Sequence, residues 1–196
     1  HNENKKTVII AADSTGHGVS GAFMSMMGIV FLNEIIVGRG ILQPNLILDL
    51  LRKKILDSFK SEGKVENINA GMDISAITIL WEKRKLEFSG AFNSIYIIRD
   101  GELSELKADK MPLGDHPSLN DKKFTLHKHL FEEGDAVYLF SDGFVDQFGW
   151  RTNKKFMKQN FINLLIQIQN IPMRAQQLLL ENAFNNWKGD FEQIDD

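Results

Sequence analysis

Between Met72 and Phe140 the chain is written largely in strand-length pieces, and this run limits the fold more than any other feature. "DISAITILWEKRKLEFSGA" predicts a hairpin turning at Glu82 to Lys85, and "SIYIIRDGELSELK" predicts another around Asp100-Gly101, a strong two-residue turn signal. Phe124 to Leu130 and Ala136 to Phe140 supply further strands, and Thr7 to Ala12 reads as an earlier buried one. On both sides the period becomes helical. Val19 to Val37 is apolar on nearly all sides, with Gly21, Ala22, Ser25 and Gly28 small enough for close approach, so a core helix is expected there, ended by Gly38 to Gly40. Pro44 opens a helix to about Phe59 with Leu48, Leu51, Ile55 and Phe59 on one stripe and Arg52, Lys53 and Lys54 toward water. After Asp142, Met157, Phe161, Leu164, Leu165 and Ile168 form one stripe, and Pro172 starts a last helix carrying Ala175, Leu179, Ala183 and Trp187 on one face. Antiparallel hairpins bracketed by paired helices imply an α+β fold, a layered α-β-β-α sandwich, and not a βαβ fold.

Several of these strands run into carboxylates. "VIIAADSTGHGVSGAFMSM" carries an apolar run to Asp13 and then to Gly16-His17-Gly18; "AVYLFSDG" ends at Asp142-Gly143; and "EQIDD" holds Asp195 and Asp196. An aspartate before a helix commonly caps it. The recurrence favours a second reading, in which side-by-side strands bring their acids to one edge. Such acids repel and take up protons unless a cation sits among them, and a hard divalent ion such as Mg²⁺ or Mn²⁺ suits oxygen ligands. His17 either hydrogen-bonds within its tight turn or donates a proton to a leaving group; Gly16 and Gly18 let the backbone come close to the site. His116, His127 and His129 read as loop and strand-surface residues.

Bulk properties narrow the function. The chain has 196 residues, enough for one domain, and a formal net charge of −3, which leaves no basic footprint for nucleic acid. It contains no cysteine, which excludes disulfides, thiolate nucleophiles and Cys-ligated zinc. The apolar stretch from Ala22 to Leu32 ends at Asn33-Glu34, short of the roughly 20 residues that span a bilayer. A cytoplasmic domain is expected, within a parent protein that could be membrane-attached. The opening "HNENKK" reads as a loop, with a native N-terminus expected upstream.

Six motifs in register, "AADSTGHGVSGAFMSM", "GMDISAITI", "FSGAFNSIYIIRDG", "KMPLG", "YLFSDGFVDQFG" and "EQIDD", make the chain resemble the SpoIIE-like branch of the metal-dependent PPM (type 2C) serine/threonine protein phosphatases along nearly its whole length. The resemblance implies two antiparallel sheets flanked by helices, with two Mn²⁺ or Mg²⁺ ions at one end. It implies that Asp13 bridges the ions, that the Ser14 carbonyl ligates one, and that Asp142 and Asp195 complete a shell, with Asp196 secondary beside them. Asp73 lies where some members place an acid for a third metal. The implied reaction is attack of a metal-activated water on a phosphoserine or phosphothreonine, with Asp13, His17 and Asp142 at the catalytic centre.

The implied partners are a phosphorylated protein substrate, in this branch an anti-sigma-factor antagonist, and an upstream sensor or regulatory domain. Members of the family carry a first acidic strand and a last apolar strand beyond the ends of this sequence, so weak metal binding and self-association into a homodimer through unpaired sheet edges are expected of these residues alone. Ser20 stands where proline is common in the family, and Trp150 where a small residue is common. Two other classes compete: a catalytically silent switch or binding module on the same fold, and a two-metal nuclease or nucleotide hydrolase, which the missing basic groove disfavours.

Overall fold

The computed structural model describes residues 5–14, 19–60, 71–114, 119, 121–193 and 195. They fall into two compact units, one made of His1–Ile95 with Leu106–Glu132, the other of Tyr96–Glu105 with Glu133–Asp196.

The first unit is a four-stranded antiparallel sheet in the order β1 (Lys6–Ser14), β2 (Met72–Leu80), β3 (Lys85–Ala91) and β6 (His127–Leu130). Register runs from Lys6 opposite Leu80 to Asp13 opposite Asp73 and Ser14 opposite Met72. The β2–β3 hairpin turns as its sequence demands, through a short 3₁₀ turn, Trp81–Lys83, and Arg84 in the left-handed region at φ 46°. Against the sheet pack α1 (Val19–Asn33) and α2 (Pro44–Lys60), and a core forms from Met24, Ile47, Leu48, Leu51, Ile55, Ile74 and Ala76 among others. The strand expected over Phe124 to Leu130 is shorter, because Phe124 leaves the sheet to bury its ring in this core.

Three expectations change here. Arg52 does not face water: it is buried, donating to the carbonyls of Leu119 and Lys122, with its guanidinium 4.9 Å from the Phe124 ring centre. Burial lowers its pKa from the ordinary value, while Asp49, Asp109 and Asp121 oppose that shift. The helix beginning at Val19 is not a core helix on all sides: Met24 and Gly28 are buried, whereas Phe23, Met26, Ile29 and Val30 are exposed. It also continues past Asn33 through a π-helical turn, Glu34–Gly38, so the stretch Val19–Gly38 has 20 residues at mean hydropathy 1.7, long and apolar enough to cross a membrane by length and composition alone. Its buried Met24 and Ile35 nevertheless belong to the core of this unit.

The second unit holds a three-stranded sheet ordered β5 (Glu102–Leu106), β4 (Ile95–Arg99) and β7 (Ala136–Tyr138), with α4 (Lys158–Ile168) and α5 (Met173–Lys188). Asp100 at φ 49° and Gly101 at φ 84° make the β4–β5 connection the tight turn expected from the sequence. Tyr96, Ile98, Phe161, Leu165 and Ile168 form the core. Met157 drops out of the predicted stripe: it precedes α4 at φ 74° and is exposed. On α5, Leu179 is exposed and Gln176 is buried instead, its Oε1 accepting from the Tyr138 hydroxyl at 2.8 Å and its Nε2 donating to the carbonyls closing α4.

Gly90 of β3 is closely packed: a Cβ there would lie 2.5 Å from the Asn93 carbonyl oxygen, 2.8 Å from the buried Phe88 ring and 2.9 Å from Ala108 Cβ. Of these, one is backbone, one a fully buried ring and one a Cβ, so none is free to swing aside. Gly90→Ala should therefore cost about 1–3 kcal/mol of stability, the range for overpacking, and a denaturant titration matching wild type would show that β3 yields more easily than its contacts imply.

Candidate metal centre

In the first unit, β1 and β2 are paired through their ends, which sets Asp13 directly opposite Asp73. Opposed residues of an antiparallel pair project to the same face with Cβ atoms about 4.5–5.5 Å apart, and like charges in that position destabilise the pair. Both aspartates are half-buried. Ser14 follows as the last residue of β1, and its hydroxyl lies 2.9 Å from that of Ser25, which fastens the strand end to the second turn of α1. His17 and Asp196, together with Gly16, Gly18 and His116, lie outside the described residues. His127 and His129 are half-buried strand residues; the His127 ring lies 5.8 Å from that of Phe88.

In the second unit, the chain leaves β7 through Leu139 and Phe140 and turns at Asp142 into α3 (Gly143–Asp146), a single helical turn. Asp142 occupies the cap position but makes no side-chain cap hydrogen bond, so the capping role open to it in the sequence is not the one it takes. Its carboxylate and that of Asp195 come within 4.8 Å of each other. The Asp142 carboxyl is pushed above the ordinary aspartate range, first because the surrounding protein strips water from one side of it, then because Asp195 and Asp146 repel its charge; Lys155 opposes them weakly. Asp146 itself is paired with Lys155 at 2.7 Å.

The segment bearing Asp195 has no regular structure and is fixed by side chains. Gln147, fully buried at the end of α3, donates from Nε2 to the carbonyl of Glu192 at 3.1 Å, and Gln193 Nε2 donates to the carbonyl of Asp195 at 2.7 Å. Trp187 Nε1 donates to the Gln147 carbonyl at 2.9 Å. Sequence reasoning missed Gln147 and Trp187 as supports of the site. The one available signal was a lone amide inside the aromatic run "FVDQFGW", a residue that can be buried only with partners.

Each unit thus contributes a pair of like charges, Asp13 with Asp73 and Asp142 with Asp195. The second pair suits a hard divalent cation: oxygen donors only, close together, with the charged form of Asp142 disfavoured by its surroundings.

The chain matches the family model for stage II sporulation protein E over residues 3–196. No curated protein matches it. Among solved structures it is similar to the SiaA-PP2C domain of Pseudomonas aeruginosa, at TM-score 0.82 and 24% identity, covering 97% of this chain and 76% of that one. It is also similar to the RsbU and RsbW domains of Rv1364c from Mycobacterium tuberculosis, at TM-score 0.73 and 14% identity over 95% of this chain and 49% of that one, about half its length. The catalytic domain of the serine/threonine protein phosphatase PstP in complex with two manganese ions matches at TM-score 0.61 and 20% identity, covering 97% and 89%. With a family match along nearly its full length and the mixed α and antiparallel β fold of the PP2C phosphatase domains, the chain belongs to the SpoIIE family.

Proposed function

We propose that this chain dephosphorylates phosphoserine or phosphothreonine in a regulatory protein, an anti-sigma-factor antagonist, and that Asp13, Asp142, Asp195 and the Ser14 carbonyl hold two Mn²⁺ or Mg²⁺ ions for the purpose. The observation that carries the reading is the close approach of the Asp142 and Asp195 carboxylates, within 4.8 Å of each other, with the Asp142 carboxyl pushed above the ordinary aspartate range by lost hydration and by its acidic neighbours. Bound ions there would supply a water of lowered pKa and would offset charge on the phosphoryl oxygens. The chain's own part is positional. Asp142 is held on a rigid turn by the Asp146 and Gln147 amides, which donate to the carbonyls of Asp142 and Gly143 at 2.9 and 3.1 Å. Asp13 is held by strand pairing on its β2 side. His17, which follows β1 in the sequence, is the residue we assign to the leaving oxygen.

The antagonist substrate is supported by the resemblance of the motifs and by the neighbour that carries RsbU and RsbW domains in one chain. An upstream regulatory domain, a cytoplasmic setting and homodimer formation along the β1 edge belong to the same proposal. β1 and β6 are the outer strands of the first sheet, which leaves one side of each open to such pairing among the described residues.

The direct test is phosphate release from a phosphorylated antagonist protein with Mn²⁺, compared with chelator and with a generic phosphodiester. Release that needs metal and is confined to the phosphoprotein is expected. Metal binding without release would identify a silent binding module, and diester cleavage a nuclease.

Asp142→Asn should abolish that release and weaken Mn²⁺ binding by at least about tenfold, a lower bound taken from the effect of losing even an outer-shell partner. The metal-free protein should melt no lower than wild type, because a neutral amide replaces a carboxylate whose charge the fold disfavours. Activity within a few-fold of wild type at unchanged Mn²⁺ affinity would reduce Asp142 to a turn residue.

A further inference from the structure

We infer that Gln147 is a positioning residue for the metal centre, a clasp that keeps the Asp195 segment against the Asp142 turn; this rests on the metal-site reading above. Two carboxylates within 4.8 Å push each other apart, and only one of them adjoins a regular element. Asp142 starts α3, but residues 189–193 lie beyond α5 in turn and irregular structure, as does Asp195. Something must oppose the repulsion before any cation arrives.

Gln147 is built for that task. It closes α3, five residues after Asp142 and joined to it by a hydrogen-bonded turn, so its side chain moves as one body with the Asp142 backbone. The amide is completely buried, where an unmade hydrogen bond is costly, and its Nε2 is shared between the Phe148 carbonyl at 3.2 Å and the Glu192 carbonyl at 3.1 Å. Glu192 lies three residues before Asp195, and the Gln193 side chain donates to the Asp195 carbonyl at 2.7 Å. The ring of connections from Asp142 through Gln147 to Glu192 and Asp195 is thereby closed within one unit.

Gln147 is itself immobilised from the other side. Its carbonyl accepts from Trp187 Nε1 at 2.9 Å and from the Phe156 amide at 3.0 Å. The Trp187 ring lies flush on Gly149, where a Cβ would come 2.6 Å from the indole, and the Trp150 ring lies flush on Gly189, where a Cβ would come 2.2 Å away. The Trp150 amide then donates to the Trp187 carbonyl at 3.1 Å. This reciprocal stacking of two indoles on two glycines locks the loop after Gln147 to the end of α5, the point from which the Asp195 segment departs. It also accounts for a tryptophan at position 150, where the family commonly has a small residue.

The test is calorimetric titration of the full native protein with Mn²⁺, using Gln147→Leu, Trp187→Phe and, as a control, Tyr138→Phe. The control removes a donor to Gln176, another buried amide of the same unit that makes no described bond to the Asp195 segment. Gln147→Leu is expected to weaken Mn²⁺ binding about ten- to a hundredfold, the range for removing an outer-shell support, with turnover recovered at saturating Mn²⁺. Trp187→Phe keeps a ring on Gly149 but loses the bond to Gln147, so a smaller loss in the same direction is expected. Tyr138→Phe should lower the melting temperature with Mn²⁺ affinity unchanged. A folded Gln147→Leu protein that binds Mn²⁺ as wild type does would overturn the inference; if that variant does not fold, unchanged affinity in Trp187→Phe would overturn it alone. Failure of the wild-type protein to bind Mn²⁺ would overturn the metal reading first and this one with it.

Discussion

Asp142 and Asp195 approach within 4.8 Å, and Asp13 faces Asp73 directly across two strands, so each unit carries a repulsive contact that the apolar core must outweigh. The surrounding structure is arranged as a consequence of that repulsion. β1 pairs with β2 along its full length from Lys6 to Ser14, which commits many backbone hydrogen bonds to holding a single acidic end in register. α3 is only one turn long, yet it is tied at both ends by backbone bonds and is followed by a fully buried amide. Acids brought this close must be held there by other contacts, and here these are strand pairing around Asp13 and buried polar groups beside Asp142.

The parts of the fold legible in the sequence are those whose signal is local. Asp100-Gly101 needs positive φ at both positions, and the dipeptide announces this without reference to the rest of the molecule. Leu48, Leu51 and Ile55 recur at helical spacing because one face of α2 is covered, and all three are fully buried. Asp13, Ser14 and Asp142 stand at strand and turn ends, as the apolar runs before them indicated. Asp195, grouped in the sequence with acids at or near strand ends, follows no strand among the described residues: residues 191–193 are irregular.

What escaped the sequence depends on distant partners. Arg52 carries a charge, and charge usually means solvent; its partners are carbonyls 67 and 70 residues away, which no window around position 52 contains. Gln176 was overlooked on α5 for the same reason, since Tyr138, 38 residues earlier, makes its burial tolerable. Gln147 belongs with them. In each case a polar side chain is buried because several carbonyls or a hydroxyl converge on it, and such convergence is a property of the fold and not of composition. Leu179 and Met157 failed in the opposite sense: helical spacing placed them on a stripe, but the helix face turned toward Gln176 in one case, and backbone at positive φ preceded the helix in the other.

The first helix shows how the acidic end of β1 is coupled to the rest of its unit. Ser25 meets Ser14 one residue beyond Asp13, and Gly28 comes so close to Met72, the neighbour of Asp73, that a Cβ would lie 2.6 Å from its terminal methyl. α1 therefore touches the residues adjoining both acids of the first unit. The contact to Met72 ends on a flexible thioether, which can follow a small displacement without a large penalty, whereas the strand register cannot slip by one residue without turning every β1 side chain to the opposite face. A shift of α1 along its axis would accordingly reach Asp13 as a change of position within an intact sheet, not as a loss of structure. With Phe23, Met26, Ile29 and Val30 exposed, the helix buries only part of its circumference, and through Ser25 and Gly28 it meets the residues beside Asp13 and Asp73.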